Sequence, residues 1–211
     1  LDHIYCQAKH TLEKTHDLFD LDYIPSFLPN PVKVPNRVPE KSDTPKVLFL
    51  GRFDGEKDPE RFMRLALEFP DVEFVAAGAS HDPVYDKMIR TRYEAIENLS
   101  LPGFIEGEEK DRLLAESWVL VNTSVSECLP VSFLEVAANG CSILSPHDPD
   151  GFASRFGFYI SKYSLGSGLR QLIEDEMWRE KGLRGYNYVK KTHEMGHVID
   201  LHLKEYEKRL G

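Results

Sequence analysis

The sequence has no excess of basic residues. Its 211 residues include 26 Lys and Arg against 35 Asp and Glu, which gives a net charge of −9. A protein that contacts many phosphates of a nucleic acid needs a basic face, so this composition argues against a nucleic-acid partner. The 41% of hydrophobic residues is an ordinary share for a globular domain once the 14 Gly are included, and it excludes disorder across the whole chain.

The sequence also lacks long apolar runs and has few cysteines. The longest apolar stretches, such as 47–50 and 118–121, have the length of a strand, whereas a membrane-spanning helix requires about 20 apolar residues. Cys6, Cys128 and Cys141 are an odd number without CxxC spacing, a usage typical of reduced thiols. We therefore expect a cytoplasmic protein.

The first 45 residues differ in pattern from the rest. They contain a strand candidate at 4–7, a polar helix around 10–19 and a series of prolines that favours an extended path across a surface. Because the chain starts with Leu1 and not with Met, we expect a fragment of a longer protein. We predict that residues 1–45 are a connecting segment that leads into the main domain, residues 46–211.

From residue 46 onward, apolar β-branched runs alternate with segments of helical length. The predicted strands are 46–51, 72–78, 100–105, 118–124, 141–146 and, more weakly patterned, 156–160. The predicted helices are 58–69, 83–97, 108–117, 130–139 and the remainder after 164, which ends in an amphipathic stretch at 198–210. Strands that are apolar on both faces and joined by helices indicate an α/β fold with a doubly wound, Rossmann-like parallel sheet. Such sheets bind ligands beyond the carboxyl ends of their strands.

The clearest candidate site follows the fourth predicted strand. Pro130 suits a first helical position and Gly140 a C-terminal cap, and the helix between them is apolar nearly all round. Glu135 stands in its middle, and a buried carboxylate needs a polar partner. The free amides at the helix start form an anion site, with Glu127 before it and Glu135 after it. The alternative is that Glu127 is an ordinary helix-start acid and Glu135 part of a structural ion pair.

A second candidate site is the loop 51–59, directly after the first predicted strand. Arg52 offers a planar fork and Lys57 a point charge where a phosphate would approach. The loop is neither a Walker loop nor a GxGxxG motif. The alternative is that both are solvated cations that balance neighbouring acids.

Together these motifs resemble a known enzyme family. GRFDGEKDP at 51–59, FIEG at 104–107 and SECLPVSFLEVAANGCSIL at 126–144 resemble the C-terminal, donor-binding half of a family-four glycosyltransferase with the two-domain B-type fold. The seven residues between Glu127 and Glu135 match that family's paired-glutamate motif. The similarity covers most of 46–160, and the ending EYEKRL resembles the final helix of the same half.

The resemblance implies a role for each matching residue. Arg52 and Lys57 would hold the diphosphate of a nucleotide sugar. Glu135 would accept the ribose hydroxyls, and Glu127 would be the catalytic residue that meets the transferred sugar.

It also implies supporting contacts around the donor. The amides of Val131 and Ser132 would add to the diphosphate site, Phe104 and Ile105 would lie against the base, and Gly151 would lie near the sugar and phosphate.

The implied activity is that of a retaining hexosyltransferase in polysaccharide biosynthesis. It would pass a hexosyl group from a nucleotide-diphosphate sugar to a glycan or lipid-linked acceptor, without an obligatory cofactor or metal. The acceptor would bind through an N-terminal domain that precedes residue 1, so the fragment alone would be inactive. The full-length protein would associate peripherally with the cytosolic face of a membrane. The alternative is a non-catalytic nucleotide-sugar-binding or interaction module on the same fold.

One departure from the family favours that alternative. The family usually has two glycines after the fifth strand, where this sequence has Asp150 and Gly151. An acid beside a diphosphate would repel it.

A further motif matches by accident. His193-Glu-Met-Gly-His197 satisfies HExxH, which on one helix would place two imidazoles for zinc with Glu194 as base. The extended motif is absent, because Asp200 and Leu203 stand in its place. We therefore predict no metal site here.

Overall fold

The structure is a computed structural model that describes residues 3–210, with the side chain of Leu210 left out. Residues 1 and 2 of the predicted connecting segment 1–45 and residue 211 of the predicted main domain 46–211 lie outside the described residues. The strands are β1 (Tyr5–Cys6), β2 (Ser26–Phe27), β3 (Lys46–Leu50), β4 (Glu73–Ala77), β5 (Leu99–Gly103), β6 (Val119–Val121), β7 (Ser142–Ser145) and β8 (Gly157–Tyr159). The α-helices are α1 (Leu12–Phe19), α2 (Pro59–Leu65), α3 (Pro83–Tyr93), α4 (Gly107–Glu116), α5 (Val131–Ala138), α6 (Phe152–Phe156), α7 (Leu165–Glu174), α8 (Met177–Thr192) and α9 (Met195–Leu210).

Six of these strands form one parallel sheet in the order β5-β4-β3-β6-β7-β8. The predicted strands are confirmed, with shorter bounds at most ends. The strand order reverses between β3 and β6, so the helices that leave these two strands pack on opposite faces of the sheet. The crevice at the carboxyl ends of β3 and β6 is the usual ligand site of such a sheet.

The sheet is buried on both faces, as β3 illustrates. Val47 and Phe49 pack into a core with residues of α2, α3 and α7, while Leu48 packs on the opposite face with residues of α5, α6 and α8. Successive side chains of a strand point to opposite faces, so an apolar run such as 47–49 supplies both cores. The predicted doubly wound fold is confirmed.

The N-terminal segment forms its own small sheet. β1 and β2 pair in parallel, and α1 connects them in the chain. The extended stretch that follows is tied to the C-terminal helices by a parallel bridge between Val32 and Glu194. The division of the chain at residue 45 stays a prediction.

No helix in the described part of the chain is long and apolar enough to cross a membrane.

Candidate functional site

A cavity of about 580 Å³ opens at the carboxyl edge of the sheet, beside the point where the strand order reverses. Its walls come from the ends of β3 and β4, the residues after β5, and the first turns of α4 and α5. Five of the predicted site residues line it: Arg52, Phe104, Ile105, Ser132 and Glu135. The volume is in the range of small-molecule sites, so the cavity can hold a ligand of nucleotide size.

Glu135 meets the polar partner that its position requires. The Lys110 Nζ donates to Glu135 Oε1 at 2.7 Å, and both side chains are partly buried. Lys110 lies on α4 and also lines the cavity. Sequence reasoning required a partner for Glu135 but missed Lys110, because that lysine stands in a charged run, 108–112, that is typical of a solvated helix face.

Glu127 is held by three donors. Its Oε1 accepts from Lys57 Nζ at 2.8 Å, from Asn122 Nδ2 at 3.0 Å and from Ser124 Oγ at 2.6 Å. The Glu127 side chain is only 7% exposed. Three hydrogen bonds to one charged oxygen offset much of the cost of taking it out of water, so the carboxylate is fixed in one place.

The Lys57–Glu127 pair joins the loops that follow β3 and β6. It therefore spans the crevice where the strand order reverses. The two residues lie beside the cavity and are not among those that line it. An ammonium has three donor hydrogens, so Lys57 can bind an anion and still hold Glu127.

Arg52 lines the cavity but also pairs with its neighbours. Its Nε lies 3.1 Å from Asp54 Oδ2 and its Nη2 lies 3.5 Å from Glu56 Oε2, while the side chain is 53% exposed. The ion pairs that the alternative interpretation expected are therefore present. Exposed pairs of this kind contribute little, so the guanidinium can exchange them for a phosphate.

The start of α5 faces two cavities. Ser132 lines the main cavity, whereas the half-exposed Val131 lines a second cavity of about 580 Å³, which also touches Glu135 and Lys110. The first amides of a helix have no partner within it, and Pro130, the residue before α5, has no amide hydrogen to offer. Pro130 is thus the N-terminal cap and not the first helical residue.

Phe104 and Ile105 form the wall after β5. Ile105 is buried, while the Phe104 ring is 76% exposed at the rim of the cavity. An aromatic ring in this position can stack on a flat ligand.

The acid at the family's glycine position is engaged elsewhere. Asp150 accepts hydrogen bonds from the backbone amides of Lys9 and His10, both at 2.8 Å, and its Oδ1 also lies 2.8 Å from the His10 ring Nδ1. Burial opposes ionisation of Asp150, but these hydrogen bonds prevail and hold its pKa below the usual range. Gly151 has a left-handed φ of +71° in the same short turn and is not among the residues that line the main cavity.

The HExxH match does not lie on one helix. His193 follows the end of α8 and is buried, with its Nδ1 3.0 Å from the Asn30 carbonyl, while His197 belongs to α9. The Glu194 carboxylate accepts from the His197 amide at 2.9 Å and so caps the start of α9. Within residues 3–210, no cluster of three His, Cys, Asp or Glu side chains is arranged to hold a metal ion.

The fold and this crevice define a Rossmann-like domain with a ligand cavity at the carboxyl edge of its sheet. The family model described as glycosyl transferases group 1 matches residues 33–176, which is more than half of the chain. The chain belongs to that family.

One curated relative supports the same assignment. A human phosphatidylinositol N-acetylglucosaminyltransferase subunit is 23% identical over 152 residues, which cover 68% of this chain and 31% of that protein. The chain thus spans about a third of the length of this relative.

Several solved structures share the fold. The pneumococcal O-GlcNAc transferase GtfA, in complex with UDP and GlcNAc, has a TM-score of 0.79 at 15% identity and covers 100% of this chain and 46% of its own. Anabaena HepE with UDP has a TM-score of 0.81 at 12% identity, over 98% and 64%. The C-terminal domain of LpcC from Francisella tularensis has a TM-score of 0.60 at 19% identity, over 72% and 87%.

Proposed function

We propose that this chain is the nucleotide-sugar-binding part of a retaining hexosyltransferase that acts on a glycan or lipid-linked acceptor. The observation that carries the proposal is the convergence of Arg52, Ser132 and Glu135 on one cavity, next to the Lys57–Glu127 pair. Membership of the glycosyl transferases group 1 family supports it.

The charged groups fit a diphosphate. Arg52 and the first amides of α5 supply positive charge at the cavity, and Lys57 supplies it beside the cavity. With a net charge of −9, the protein has no overall field that would attract an anion, so binding depends on these local groups. Val131 would contribute only through its amide, because its side chain faces the second cavity.

The remaining lining residues fit a nucleoside. Glu135 would accept the two ribose hydroxyls, with Lys110 sharing the same carboxylate. Phe104 and Ile105 would contact the base. GtfA and HepE were solved with UDP, which makes uridine nucleotides the first donors to test.

Glu127 would meet the transferred sugar. Its fixed carboxylate can orient sugar hydroxyls while the leaving diphosphate departs from the same face that the acceptor enters, which retains the anomeric configuration without a protein nucleophile. Gly151 would approach this sugar through its backbone. The acceptor would bind in a domain that precedes residue 1, at the cytosolic face of a membrane, so this chain alone would bind donor but transfer no sugar.

Calorimetry with UDP and UDP-hexoses tests the proposal. We expect weak binding by this chain, and Glu135→Gln should lower the affinity about tenfold because the diol loses a charged acceptor. Glu109→Gln, an exposed position on α4, is the matched control and should bind as the wild type does. A folded protein that binds no uridine, guanosine or adenosine diphosphate, with or without sugar, would overturn the proposal.

The non-catalytic alternative makes a different prediction. A full-length protein that binds nucleotide sugar but neither transfers nor hydrolyses it in the presence of acceptors would support a binding module. This alternative is based on Asp150, which stands where the family usually has glycine. The Asp150 carboxylate, however, already accepts hydrogen bonds from the amides of Lys9 and His10.

A further inference from the structure

Arg90 links the ends of β4 and β5, whose following residues, 78–80 and 104–105, line the cavity. Its Nη2 donates to the Gly78 carbonyl at 3.0 Å and its Nη1 donates to the Leu101 carbonyl at 2.9 Å. Gly78 directly follows β4 and lines the cavity, while Leu101 lies in β5, three residues before Phe104. One guanidinium thus bridges the backbones of both strands beneath the cavity.

Asp86 holds the guanidinium in this position and fixes the same loop from a second side. Its Oδ2 lies 2.6 Å from Arg90 Nε, one helical turn away on α3. Its Oδ1 accepts from the Ser80 amide at 2.8 Å. Since Ser80 also lines the cavity, the Asp86–Arg90 pair constrains residues 78–80 at both ends.

A third loop contacts the same group. The Arg90 guanidinium carbon lies 5.4 Å from the centre of the Phe53 ring, which is fully buried in the loop after β3. The Phe53 amide donates to the Ala79 carbonyl at 3.0 Å. The loops after β3 and β4 are therefore coupled to each other and to Arg90.

A close backbone approach leaves this wall little freedom of its own. A Cβ at Gly78 would lie 1.8 Å from the Gly51 carbonyl oxygen. The backbone segments that follow β3 and β4 are therefore in direct contact. Because the backbones at Gly51 and Gly78 are in contact and both residues line the cavity, a small displacement of residues 78–80 changes the width of the cavity.

We propose that Arg90 is a positioning residue for the donor: it sets the separation of the walls at 78–80 and 101–105 and thereby the affinity for the nucleotide base. This inference rests on the proposed function, because it assumes that the base lies between these walls. The planar fork of arginine is required, since a lysine ammonium cannot donate to both carbonyls and to Asp86 along three fixed directions.

The same helix offers a matched control. Arg92 also lies on α3 and also forms an ion pair, with Nη1 2.6 Å from Glu60 Oε2, but its side chain is exposed and its described hydrogen bonds go to Glu60 and Met88, which do not line the cavity. Arg92→Lys therefore changes the same chemistry on the same helix without touching the cavity wall.

Hydrogen exchange and UDP titration of the whole chain test the inference together. In Arg90→Lys we expect the amides at 78–80, 101 and 103–105 to exchange about tenfold faster, and UDP to bind about tenfold more weakly. Arg92→Lys should match the wild type in both. Arg90→Met should show larger effects, and if it fails to fold, Arg90→Lys, which keeps the charge, carries the test.

The outcomes are separable. A merely structural role would lower the unfolding temperature of Arg90→Lys while the folded protein keeps wild-type UDP affinity and wild-type exchange at these two stretches, and that result would overturn the inference. If the wild type binds no nucleotide, the proposed function fails. Exchange at 78–80 and 101–105 then still decides whether Arg90 positions the wall.

Discussion

At the scale of single residues, the Lys57–Glu127 pair is the side-chain ion pair between the loops that follow β3 and β6. The two residues are 70 positions apart in the chain, and their side chains are 23% and 7% exposed. A pair this sheltered from water is screened less by salt than a surface pair. Because this pair also fixes the two loops of the crevice relative to each other, its loss should lower the stability of the domain and change the geometry of the site.

Removing one partner should show this coupling. In Lys57→Met the Glu127 carboxylate keeps its bonds to Asn122 and Ser124 but loses its counter-charge, so we expect a loss of about 1–3 kcal/mol in the free energy of unfolding. Urea denaturation measures it. Lys33→Met is the control, because the Lys33–Asp111 pair has nearly the same length, 2.7 Å, but is exposed on both sides, and we expect little change there. Equal losses in the two variants would show that the Glu127 pair behaves as a surface pair.

Local pattern could predict the two glutamates of this site and the loop that carries Arg52 and Lys57. The paired glutamates and the Arg/Lys loop stand in recognisable motifs, and the apolar helix around Glu135 already required a polar partner. Lys110 and Arg90 could not be assigned from their surroundings in sequence, because charged residues on a helix look alike until the packing shows which face they occupy.

At the scale of secondary-structure elements, α8 and the turn before β7 make an unusually close contact. α8 packs on α5 and on β7, and a Cβ at Gly182 would lie 2.0 Å from the Gly140 carbonyl oxygen. Glycine is therefore required in mid-helix at a position where it otherwise weakens the helix. Because α5 carries Ser132 and Glu135, this contact also supports the back of the site.

Gly182→Ala should reverse the usual effect of such a change. Alanine in a helix interior is favoured over glycine by up to about 1 kcal/mol, but the clash should make this variant about 1–3 kcal/mol less stable. Thermal or urea unfolding gives the sign. Gly196→Ala in the first turn of α9 should have a much smaller effect, because the nearest atom is the capping Glu194 Oε2 at 3.2 Å, which has to move by only a few tenths of an ångström. A stabilised Gly182→Ala protein would contradict the close approach.

At the scale of the whole molecule, Asp150 ties the N-terminal segment to the six-stranded domain. Its carboxylate accepts from residues 9 and 10, about 140 positions earlier in the chain. The family position usually occupied by glycine thus carries an acid whose charge is directed to the N-terminal segment. Because the Asp150 carboxylate is already hydrogen-bonded to these two amides, it should repel a bound diphosphate less than a free carboxylate would.

Asp150→Asn should loosen that tie without improving donor binding. Charged acceptors form stronger hydrogen bonds than neutral ones, so we expect faster amide exchange in residues 3–28 and a UDP affinity within about twofold of the wild type. Asp148→Asn is the control, because Asp148 accepts from the Ser154 amide of the adjacent helix α6 and not from the N-terminal segment. A large gain in UDP affinity in Asp150→Asn would show that the acid repels the donor after all.

The same tie should depend on pH. The folded pKa of Asp150 lies below its usual value of about 3.8, so the stabilisation is fully present above that value. It is lost as the pH falls from there through the folded pKa.

The amino-acid sequence by itself determined the elements of this protein and the chemistry of its motifs. Runs such as 46–50 and the helix 131–138 carry their periodicity and their caps within a few residues, because strand and helix preferences act over short distances along the chain. The packing of these elements decided the rest, since it brings Lys57 to Glu127, Lys110 to Glu135 and Asp150 to His10. Those pairings join elements that are 25 to 140 positions apart, and only the packed sheet sets the distances between them.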